Sequence, residues 1–594
     1  MRTSIATVSL SGSLTEKLTA ASQAGFDGVE IFENDLLASR LTPEEIRGRC
    51  ADLGLSIDLY QPMRDVEAVP EEEFGRGLRR ARHKFEVMRR LGADTVLVCS
   101  SVHPLAVDDD DLAAGQLGRL ASLAEEFGVR VAYEALAWGR HVSTYDHAWQ
   151  IVERADHPAL GTCLDSFHIL SRGSDPKGIE DIPGEKIFFL QLADAPLLAM
   201  DVLQWSRHYR CFPGQGGFDV AGLVRHVLRA GYDGPLSLEV FNDVFRQAEA
   251  GPTAVDAHRS LLVLQEAVGP AGLPGPVVPT GVAFAELVTP DAEPVSEVLG
   301  ALGFARTARH RSKPVDLWQQ GEARVLVNTG PAARREGTGL AAIGLESPDP
   351  GGAARRAEAL LAPVLPRRRA ADDVPLEAVA APDGTELFFC ATNRPELPDW
   401  RADFEPVAHT ARDCGVTRID HLALVQPWHH FDEAALFHRS VLGLSAQESV
   451  DVADPYGLLR SRAVSNADGS VRIALSVGAS PDEDTAHAQH IALATPDVVA
   501  AARRLLAAGG RLLPIPANYY DDLAARFEFA DGELETYREL GILYDRDAHG
   551  EFRHCYTRTV GRVFFELVQR DGGHRGYGAQ NAPVRLAAQH VTGG

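Results

Sequence analysis

Four polar residues stand near the ends of four consecutive apolar runs in the first half of the chain. The runs read VRVAYEAL, LGTCLDSFH, IFFLQLAD and LSLEVFND, and they carry Glu134, Asp165, Gln191 and Glu239. Three carboxylates and an amide oxygen form a hard oxygen-donor set, which suits Mg²⁺ or Mn²⁺, with Co²⁺ as a further candidate. The pattern therefore predicts a divalent-metal site built from four strand ends.

The runs themselves indicate a closed ring of parallel strands. Each is short, rich in β-branched or aromatic residues and preceded by a helical pattern, as buried parallel strands are. Helix–glycine–strand phrases such as AASQAGFDGVEIF recur, and about eight units within roughly 265 residues are typical of a (β/α)₈ TIM barrel. A doubly wound open sheet is the alternative, but only a ring brings the ends of strands five to eight together. The predicted strands are Ser4–Leu10, Gly28–Phe32, Leu55–Tyr60, Thr95–Ser100, Val129–Glu134, Gly161–Asp165, Ile187–Leu192 and Leu236–Val240.

Further polar residues follow the same strands and should face the same mouth of the barrel. His168 lies three residues beyond Asp165, so we expect it to act as a general acid or base, a structural histidine being the alternative. Arginines near the mouth could hold a carboxylate through paired N–H donors, although any single one could simply be solvated. The candidate substrate-binding residues are Gln61, Arg64, Ser206, Arg207 and Arg210, the last three on the long segment after strand seven.

Composition limits the classes of partner. The formal net charge of −25 argues against nucleic acid and anionic membranes as general partners. The partner that we expect is a small-molecule substrate. Seven scattered cysteines without a CxxC pair indicate reduced thiols, and no signal peptide or long apolar stretch occurs, so we expect a cytoplasmic protein. The composition is compatible with a homo-oligomer but does not predict one.

The second half of the chain repeats itself after a Gly/Pro-rich linker. The linker is expected at 266–281, between a first domain at 1–265 and a second at 282–594. Four phrases recur there, FAELVTPD, AAIGLESPD, DHLALVQP and HIALATPD, and each starts a strand–turn–helix unit. This pattern resembles the vicinal-oxygen-chelate double barrel, an α+β fold of four βαβββ modules. The expected modules span about 282–335, 337–395, 416–480 and 487–570.

Aligning the repeats on their shared proline shows where metal chemistry is retained. His490 aligns with His421 in the third module, but with Ala342 and Phe284 in the second and first. In the closing strands, Glu566 of VFFELVQ aligns with Cys390 of ELFFCAT. Two histidines and one carboxylate from different strands form the triad that holds Fe²⁺ with open positions, and Mg²⁺ is the other candidate. A second metal site is therefore predicted at His421, His490 and Glu566.

The first half resembles the xylose-isomerase-like barrels and, among them, bacterial 3-dehydroshikimate dehydratases. The resemblance rests on the metal-ligand quartet, the DSFH segment, Gln61 with Arg64, and the phrase WSRHYR. It implies metal-dependent dehydration of 3-dehydroshikimate to protocatechuate, with Glu134 and His168 as catalytic residues and the arginines on the substrate carboxylate. Because sugar isomerases and epimerases share the quartet, an isomerase or epimerase acting on a hydroxy-ketone is the alternative.

The second half resembles 4-hydroxyphenylpyruvate dioxygenase in the phrases IDHLAL, QHIAL, PIPANYYDDL and FFELVQR. Two phrases depart from that family: FRHCYT places His554 where a glutamine is usual, and GYGAQNA places Ala582 where an aromatic residue usually covers the substrate. We therefore expect metal binding without hydroxyphenylpyruvate turnover. An Fe²⁺ aryl-pyruvate dioxygenase and a regulatory module with a relict metal site are the alternatives. The whole fusion resembles the two-domain dehydratases of quinate and shikimate breakdown.

Overall fold

The chain divides into two units, Met1–Leu273 and Pro274–Gly594. The computed structural model describes residues 1–269, 272–331, 337–366, 370, 372–409, 415–455, 457–478 and 488–592. The helix Ala250–Val268 extends into the predicted linker, of which residues 270 and 271 lie outside the described ranges. Within those ranges, no helix has the length and apolar character needed to cross a bilayer.

Eight parallel strands of the first unit close into a ring in chain order. Strand β1 pairs with β2 on one side and with β8 on the other. The predicted TIM barrel is thereby confirmed, and the doubly wound alternative is wrong. The strands are β1 (Thr3–Ala6), β2 (Gly28–Phe32), β3 (Ser56–Arg64), β4 (Thr95–Cys99), β5 (Arg130–Glu134), β6 (Leu160–Asp165), β7 (Ile187–Leu192) and β8 (Leu236–Leu238).

Helices connect these strands, and local sequence signals fix several of their ends. Ser13 and Thr42 each form a capping box with the glutamate three residues later, and Gly25 ends its helix in the left-handed region at φ 96°. The helices of this unit are Leu14–Ala24, Glu33–Ala38, Pro43–Asp52, Glu71–Leu91, Asp110–Glu125, Tyr145–Ala155, Ser166–Ser171, Val202–His208, Val220–Arg229 and Ala250–Val268.

The interior of the barrel is layered because side chains alternate along each strand. Ala132, Cys163 and Phe189 belong to one buried apolar cluster. Each lies two residues before a predicted metal ligand on its own strand, namely Glu134, Asp165 and Gln191. The apolar layer therefore forms the floor beneath the polar strand ends.

The second unit contains two mixed sheets. One has the strand order β14-β15-β13-β9-β12-β11-β10-β16, and the other has the order β18-β20-β21-β17-β22-β25-β24-β23 with β19 paired to β20. The strands of the first sheet are β9 (Gly281–Val288), β10 (Ala305–His310), β11 (Val315–Gln320), β12 (Ala323–Asn328), β13 (Gly339–Glu346), β14 (Glu377–Ala380), β15 (Glu386–Cys390) and β16 (Phe404–Pro406). Those of the second are β17 (Arg418–Val425), β18 (Ser445–Ala446), β19 (Val450–Asp454), β20 (Gly457–Ser465), β21 (Arg472–Val477), β22 (Gln489–Ala494), β23 (Leu543–Arg546), β24 (Gly550–Tyr556) and β25 (Val563–Gly572).

The register of the second sheet places its three predicted ligands on adjoining strands. Residue His421 of β17 pairs with Ala492 of β22, which in turn pairs with Glu566 of β25. His490 of β22 pairs with Ala423, two residues along β17. The helices of this unit are Glu293–Ala301, Pro350–Ala359, Phe431–Leu442, Val498–Ala507, Ala517–Arg526, Glu533–Leu540 and Ala582–Thr592.

Candidate active site and metal centres

The carboxyl ends of the barrel strands gather a dense group of buried carboxylates. One oxygen each from Glu134 and Asp165 and one ring nitrogen of His168 lie within 4.8 Å of one another. The buried Oε1 of Glu134 has no hydrogen-bond partner among the described residues. Burial, Asp165 and Glu239 raise the pKa of Glu134 well above its usual range, because a third negative charge is costly there. A divalent cation would relieve this repulsion, so the oxygen-donor set fits one.

Asp165 is oriented by the helix that begins immediately after it. Its Oδ1 accepts hydrogen bonds from the N–H groups of Phe167 at 2.6 Å and His168 at 3.2 Å, which caps the helix Ser166–Ser171. The other oxygen, Oδ2, lies 2.8 Å from Nη1 of Arg210. Burial opposes ionisation of Asp165, but Arg210 and His168 outweigh it and lower the pKa. Asp165 thus offers one ionised oxygen to the centre.

Gln191 is held through its amide nitrogen. Its Nε2 donates to Oε2 of Glu30 at 2.6 Å, while its Oε1 lies 3.5 Å from Sγ of Cys163. Gln61, predicted to bind substrate, is 1% exposed and donates its own Nε2 to the same Glu30 oxygen at 2.7 Å. Glu30 was not predicted as a site residue, although a single acid inside the apolar run GVEIF is a signal visible in the sequence.

Arg210 lies inside the ligand group. Its Nη1 is 2.8 Å from Asp165 Oδ2 and 3.1 Å from Glu239 Oε2, and its side chain is 1% exposed. Nε and Nη2 both donate to Oγ of Ser206, at 3.2 and 2.9 Å. We expected Arg210 to hold a substrate carboxylate, whereas here it balances the charge of two predicted metal ligands. Ser206 orients Arg210 and keeps its own O–H proton for another acceptor.

The other two arginines face the mouth more openly. Arg207 is exposed, and partial burial together with Arg64 and Arg210 lowers its pKa, so the three positive charges lie near one another. The buried Nε of Arg64 has no hydrogen-bond partner within the described ranges. An anionic group entering the mouth would therefore meet a positive potential and at least one free N–H donor.

His168 is fully buried and its ring is fixed by the backbone. Nδ1 accepts a hydrogen bond from the N–H of Ala137 at 3.1 Å, and Nε2 lies 3.3 Å from Nη2 of Arg210, which can only donate. Nε2 lies 3.8 Å from Asp165 Oδ2. Burial lowers the pKa of His168 to about 3, against the opposing effect of Asp165. The ring is therefore neutral and both of its nitrogens face N–H donors, so the expected acid–base role of His168 stays a prediction.

The second unit brings together its predicted triad. His421 Nε2 is 3.1 Å from Glu566 Oε2, His490 Nε2 is 3.2 Å from the same oxygen, and the two nitrogens are 3.2 Å apart. With metal bonds of about 2.1 Å, neighbouring ligand atoms lie about 3.0 Å apart on an octahedron and about 3.4 Å apart on a tetrahedron. The three atoms therefore have the spacing that one divalent ion requires.

Outer partners orient the ligands of this triad. His421 Nδ1 lies 2.8 Å from Asp420 Oδ1, and Arg570 Nη2 donates to the same carboxylate oxygen at 2.8 Å. His554, the residue at the usual glutamine position, places Nδ1 2.7 Å from Glu566 Oε1. Its Nε2 lies 3.0 Å from Nδ2 of Asn581, an amide donor, so Nδ1 carries the proton that Glu566 accepts. The second oxygen of Glu566 is thereby fixed by the protein itself.

In the first half of this unit, the equivalent strand positions are packed. Phe284, Ala342 and Cys390 belong to one buried apolar cluster, and the Phe284 ring lies 4.9 Å from that of Trp400. The positions aligned by the repeats are therefore predicted metal ligands in one half of the unit and core residues in the other.

A further group with ligand atoms within 4.8 Å consists of His310, Asp373 and Asp403. Its carboxylates are already paired, Asp403 with Arg311 at 2.9 Å and Asp373 with Lys313 at 3.4 Å. This arrangement is a balanced ion cluster, so we assign it no ligand.

Comparisons with known proteins agree with this two-part architecture. The family model for the xylose isomerase-like TIM barrel matches residues 18–264. The model for the N-terminal part of hydroxyphenylpyruvate dioxygenase matches residues 274–388, and the Glyoxalase/Bleomycin resistance protein/Dioxygenase superfamily model matches residues 418–534. A solved structure described as a xylose isomerase-like TIM barrel/4-hydroxyphenylpyruvate dioxygenase fusion protein superposes with a TM-score of 0.91 at 43% identity, covering 100% of this chain and 99% of that one.

Full-length relatives decide the family. The 3-dehydroshikimate dehydratase of Pseudomonas aeruginosa is 46% identical over 629 residues, covering 99% of this chain and 98% of the relative. The chain belongs to the 3-dehydroshikimate dehydratase family. The family member from Pseudomonas putida is 44% identical over 621 residues with the same coverage. The resemblance inferred from the sequence is confirmed for both halves, and both donor groups fit a divalent metal as the family models suggest.

Proposed function

We propose that the barrel dehydrates 3-dehydroshikimate to protocatechuate. The observation that carries the proposal is the joint presence, at one barrel mouth, of a buried oxygen-donor set and a group of arginines. The substrate carries a ring ketone, a hydroxyl group that can leave, and a carboxylate, so it needs both kinds of partner. The relatives that match this chain over nearly its full length carry the name of this activity.

The reaction breaks a C–H bond and the C–O bond on the neighbouring ring carbon, and it releases water. The carbon proton is acidified by conjugation with the ketone, and the resulting ring becomes aromatic, which drives the elimination. Glu134, Asp165, Gln191 and Glu239 would hold Mg²⁺ or Mn²⁺, with Co²⁺ as a further candidate. When bound, this ion supplies Lewis-acid stabilisation of negative charge at the ketone oxygen.

The chain's own residues then divide the remaining tasks. Arg64 and Arg207 bind the substrate carboxylate through charged N–H donors, and so fix the ring at the mouth. His168, whose ring is neutral, relays a proton to the departing hydroxyl group, which leaves as water. Glu134 accepts the carbon proton at Oε1, the buried oxygen that has no other described partner, and supplies the proton that His168 relays.

For the second unit, we infer a site for Fe²⁺ or Mg²⁺ that does not turn over hydroxyphenylpyruvate. Two observations support this. His554 takes the second oxygen of Glu566 at 2.7 Å, from the position at which the dioxygenase family usually has a glutamine. Ala582 lies in a small apolar cluster with Val452 and Leu586, where the resemblance would place an aromatic cover.

An ultraviolet assay for protocatechuate tests the proposal. The metal-stripped full chain is incubated with 3-dehydroshikimate, with and without Mg²⁺ or Mn²⁺, beside Glu134→Ala. We expect product only with metal and a loss of at least about a thousandfold in the variant, because both a ligand and the proton acceptor are removed. The matched control is Glu566→Gln, which removes a carboxylate from the second unit and should leave product formation in place.

Two outcomes would contradict the proposal. A folded, metal-loaded protein that forms no protocatechuate would favour an isomerase or epimerase of hydroxy-ketones, to be tested next with such substrates. Product formation that is lost in Glu566→Gln and retained in Glu134→Ala would move the chemistry to the second unit. Oxygen uptake with an aryl-pyruvate would then test the dioxygenase alternative.

A further inference from the structure

Glu30 links four strands of the barrel from a completely buried position. It lies on β2, is 0% exposed, and accepts hydrogen bonds from three side chains on other strands. Gln61 of β3 and Gln191 of β7 both donate to Oε2, at 2.7 and 2.6 Å, and the hydroxyl of Ser237 on β8 donates to Oε1. Since β2 pairs only with β1 and β3 in the ring, the contacts with β7 and β8 cross the interior of the barrel.

The contact with Gln191 has a chemical consequence that the other two lack. A glutamine amide has nearly the same shape in its two flipped orientations, but only the oxygen can bind a metal ion. Both oxygens of Glu30 act as acceptors, Oε2 from the NH₂ groups of Gln61 and Gln191 and Oε1 from the hydroxyl of Ser237, so Glu30 presents an acceptor to the amide of Gln191. Glu30 therefore selects the orientation in which Nε2 points toward Glu30 and Oε1 points the other way, where Sγ of Cys163 lies 3.5 Å from it.

We propose that Glu30 is a positioning residue for the barrel centre, which fixes the amide of Gln191 with its oxygen available as a metal ligand. The inference rests on the metal site of the proposed function. Glu30 is not itself a catalytic residue, because its carboxylate oxygens are taken up by the three donors. Because Glu30 orders the amide before the ion binds, metal binding does not carry that ordering cost, and the affinity for the metal ion is higher.

Three substitutions separate positioning from a merely structural role. Glu30→Gln keeps an oxygen that can accept from both glutamines, and its NH₂ group can donate to the Ser237 hydroxyl. Glu30→Leu removes every acceptor at similar size. Glu30→Asp keeps the carboxylate but withdraws it by one methylene group, about 1.5 Å. If Glu30 acts by positioning, the glutamine variant should keep its affinity for the metal ion, whereas the leucine and aspartate variants should lose affinity.

The experiment is a calorimetric titration of the metal-stripped full chain with Mn²⁺. The binding phase that disappears in Glu134→Ala is assigned to the barrel. In that phase, we expect Glu30→Leu and Glu30→Asp to bind about 10- to 100-fold more weakly, as when an outer partner of a ligand is lost, and Glu30→Gln to keep most of the affinity. Glu67→Gln is the matched control, a second buried barrel carboxyl that accepts hydrogen bonds from Ser101 and Tyr133 rather than from a ligand.

The outcomes distinguish a failure of the role of Glu30 from a failure of the proposed metal site. If wild-type protein has no Mn²⁺ phase that depends on Glu134, the metal site itself is refuted. If that phase exists and Glu30→Asp binds Mn²⁺ as tightly as wild type, only the role of Glu30 is refuted. A glutamine variant as weak as the aspartate variant would refute it equally. Should Glu30→Leu fail to fold, the comparison of the aspartate and glutamine variants still decides.

Discussion

Replacing Arg210 with methionine removes the positive charge that contacts both Asp165 and Glu239 but keeps a long side chain. In wild-type protein treated with EDTA, Arg210 balances these two buried carboxylates at 2.8 and 3.1 Å. In the variant under the same conditions, both carboxylates are left without that partner. We expect the barrel to be strongly destabilised in EDTA and to recover when Mn²⁺ is added, because the ion restores positive charge to the same oxygens.

The size of the effect follows from the burial of the pair. Removing one partner of a buried ion pair costs about 3–5 kcal/mol. For a domain of this size, each kcal/mol lowers the midpoint of thermal unfolding by about 2–4 °C, so a loss of about 6–20 °C is expected in EDTA. Mn²⁺ at a hundred times its dissociation constant adds about 2.7 kcal/mol by mass action alone. The gain should be larger in the variant than in wild type, where the ion must compete with Arg210 for the carboxylates.

Thermal unfolding of the full chain with EDTA and with Mn²⁺ measures this difference. The transition that Glu134→Ala alters is assigned to the barrel. Arg207→Met is the matched control, since Arg207 is exposed and its loss should change the midpoint little under either condition. An equal loss in Arg210→Met with EDTA and with Mn²⁺ would show that Arg210 acts through packing rather than through the charge of the ligands.

Three further changes test other parts of the structure. Burial raises the pKa of Glu67 from 4.5 to about 7, so its contribution to stability is present below about pH 4.5 and lost as pH rises through about 7. Glu67→Gln should abolish this loss of up to about 3 kcal/mol in denaturant unfolding at pH 5 and 8, and an unchanged pH dependence would contradict it. Glu566→Gln should eliminate Mn²⁺ binding in the second unit, as measured by calorimetry, and a retained second binding phase would contradict the triad. Phe284→Ala should cost about 3–5 kcal/mol in chemical unfolding by opening a cavity, equally with EDTA and with Mn²⁺, and rescue by Mn²⁺ would contradict a purely apolar role.

The barrel was predictable because its signals are local and periodic. Inward-facing positions two residues apart on β5, β6 and β7 carry an apolar residue and then a polar one, so strand and function were encoded together. Several strand boundaries differ from the prediction. Strand β1 ends at Ala6 rather than Leu10, and β8 ends at Leu238 rather than Val240, whereas β3, expected to end at Tyr60, continues to Arg64. A register shift between Tyr60 and Met63 lets the strand pass Pro62, which the sequence pattern indicates as a break.

The partners of the site residues were less predictable because they depend on contacts distant in sequence. The hydrogen bonds of Glu30 span 31, 161 and 207 residues, and no local pattern reports which strand interiors meet. Arg210 was predicted as a site residue from its segment, but its contact with Asp165, 45 residues earlier, depends on how that long segment folds back. The residues at the strand ends can be predicted from their order along the chain. The pairing of buried charges can be assigned only from the three-dimensional structure.

The apolar cluster around Phe284 makes the two halves of the second unit differ in how they respond to their surroundings. The half that contains this cluster draws its stability from packing, which does not vary with the concentration of ions. The half with His421, His490 and Glu566 gains stability whenever a divalent ion binds its folded form. When such ions are depleted, the free energy of local unfolding should therefore fall in the half with the triad and stay unchanged in the half around Phe284. The difference in local unfolding between the two halves would then depend on the concentration of divalent cations.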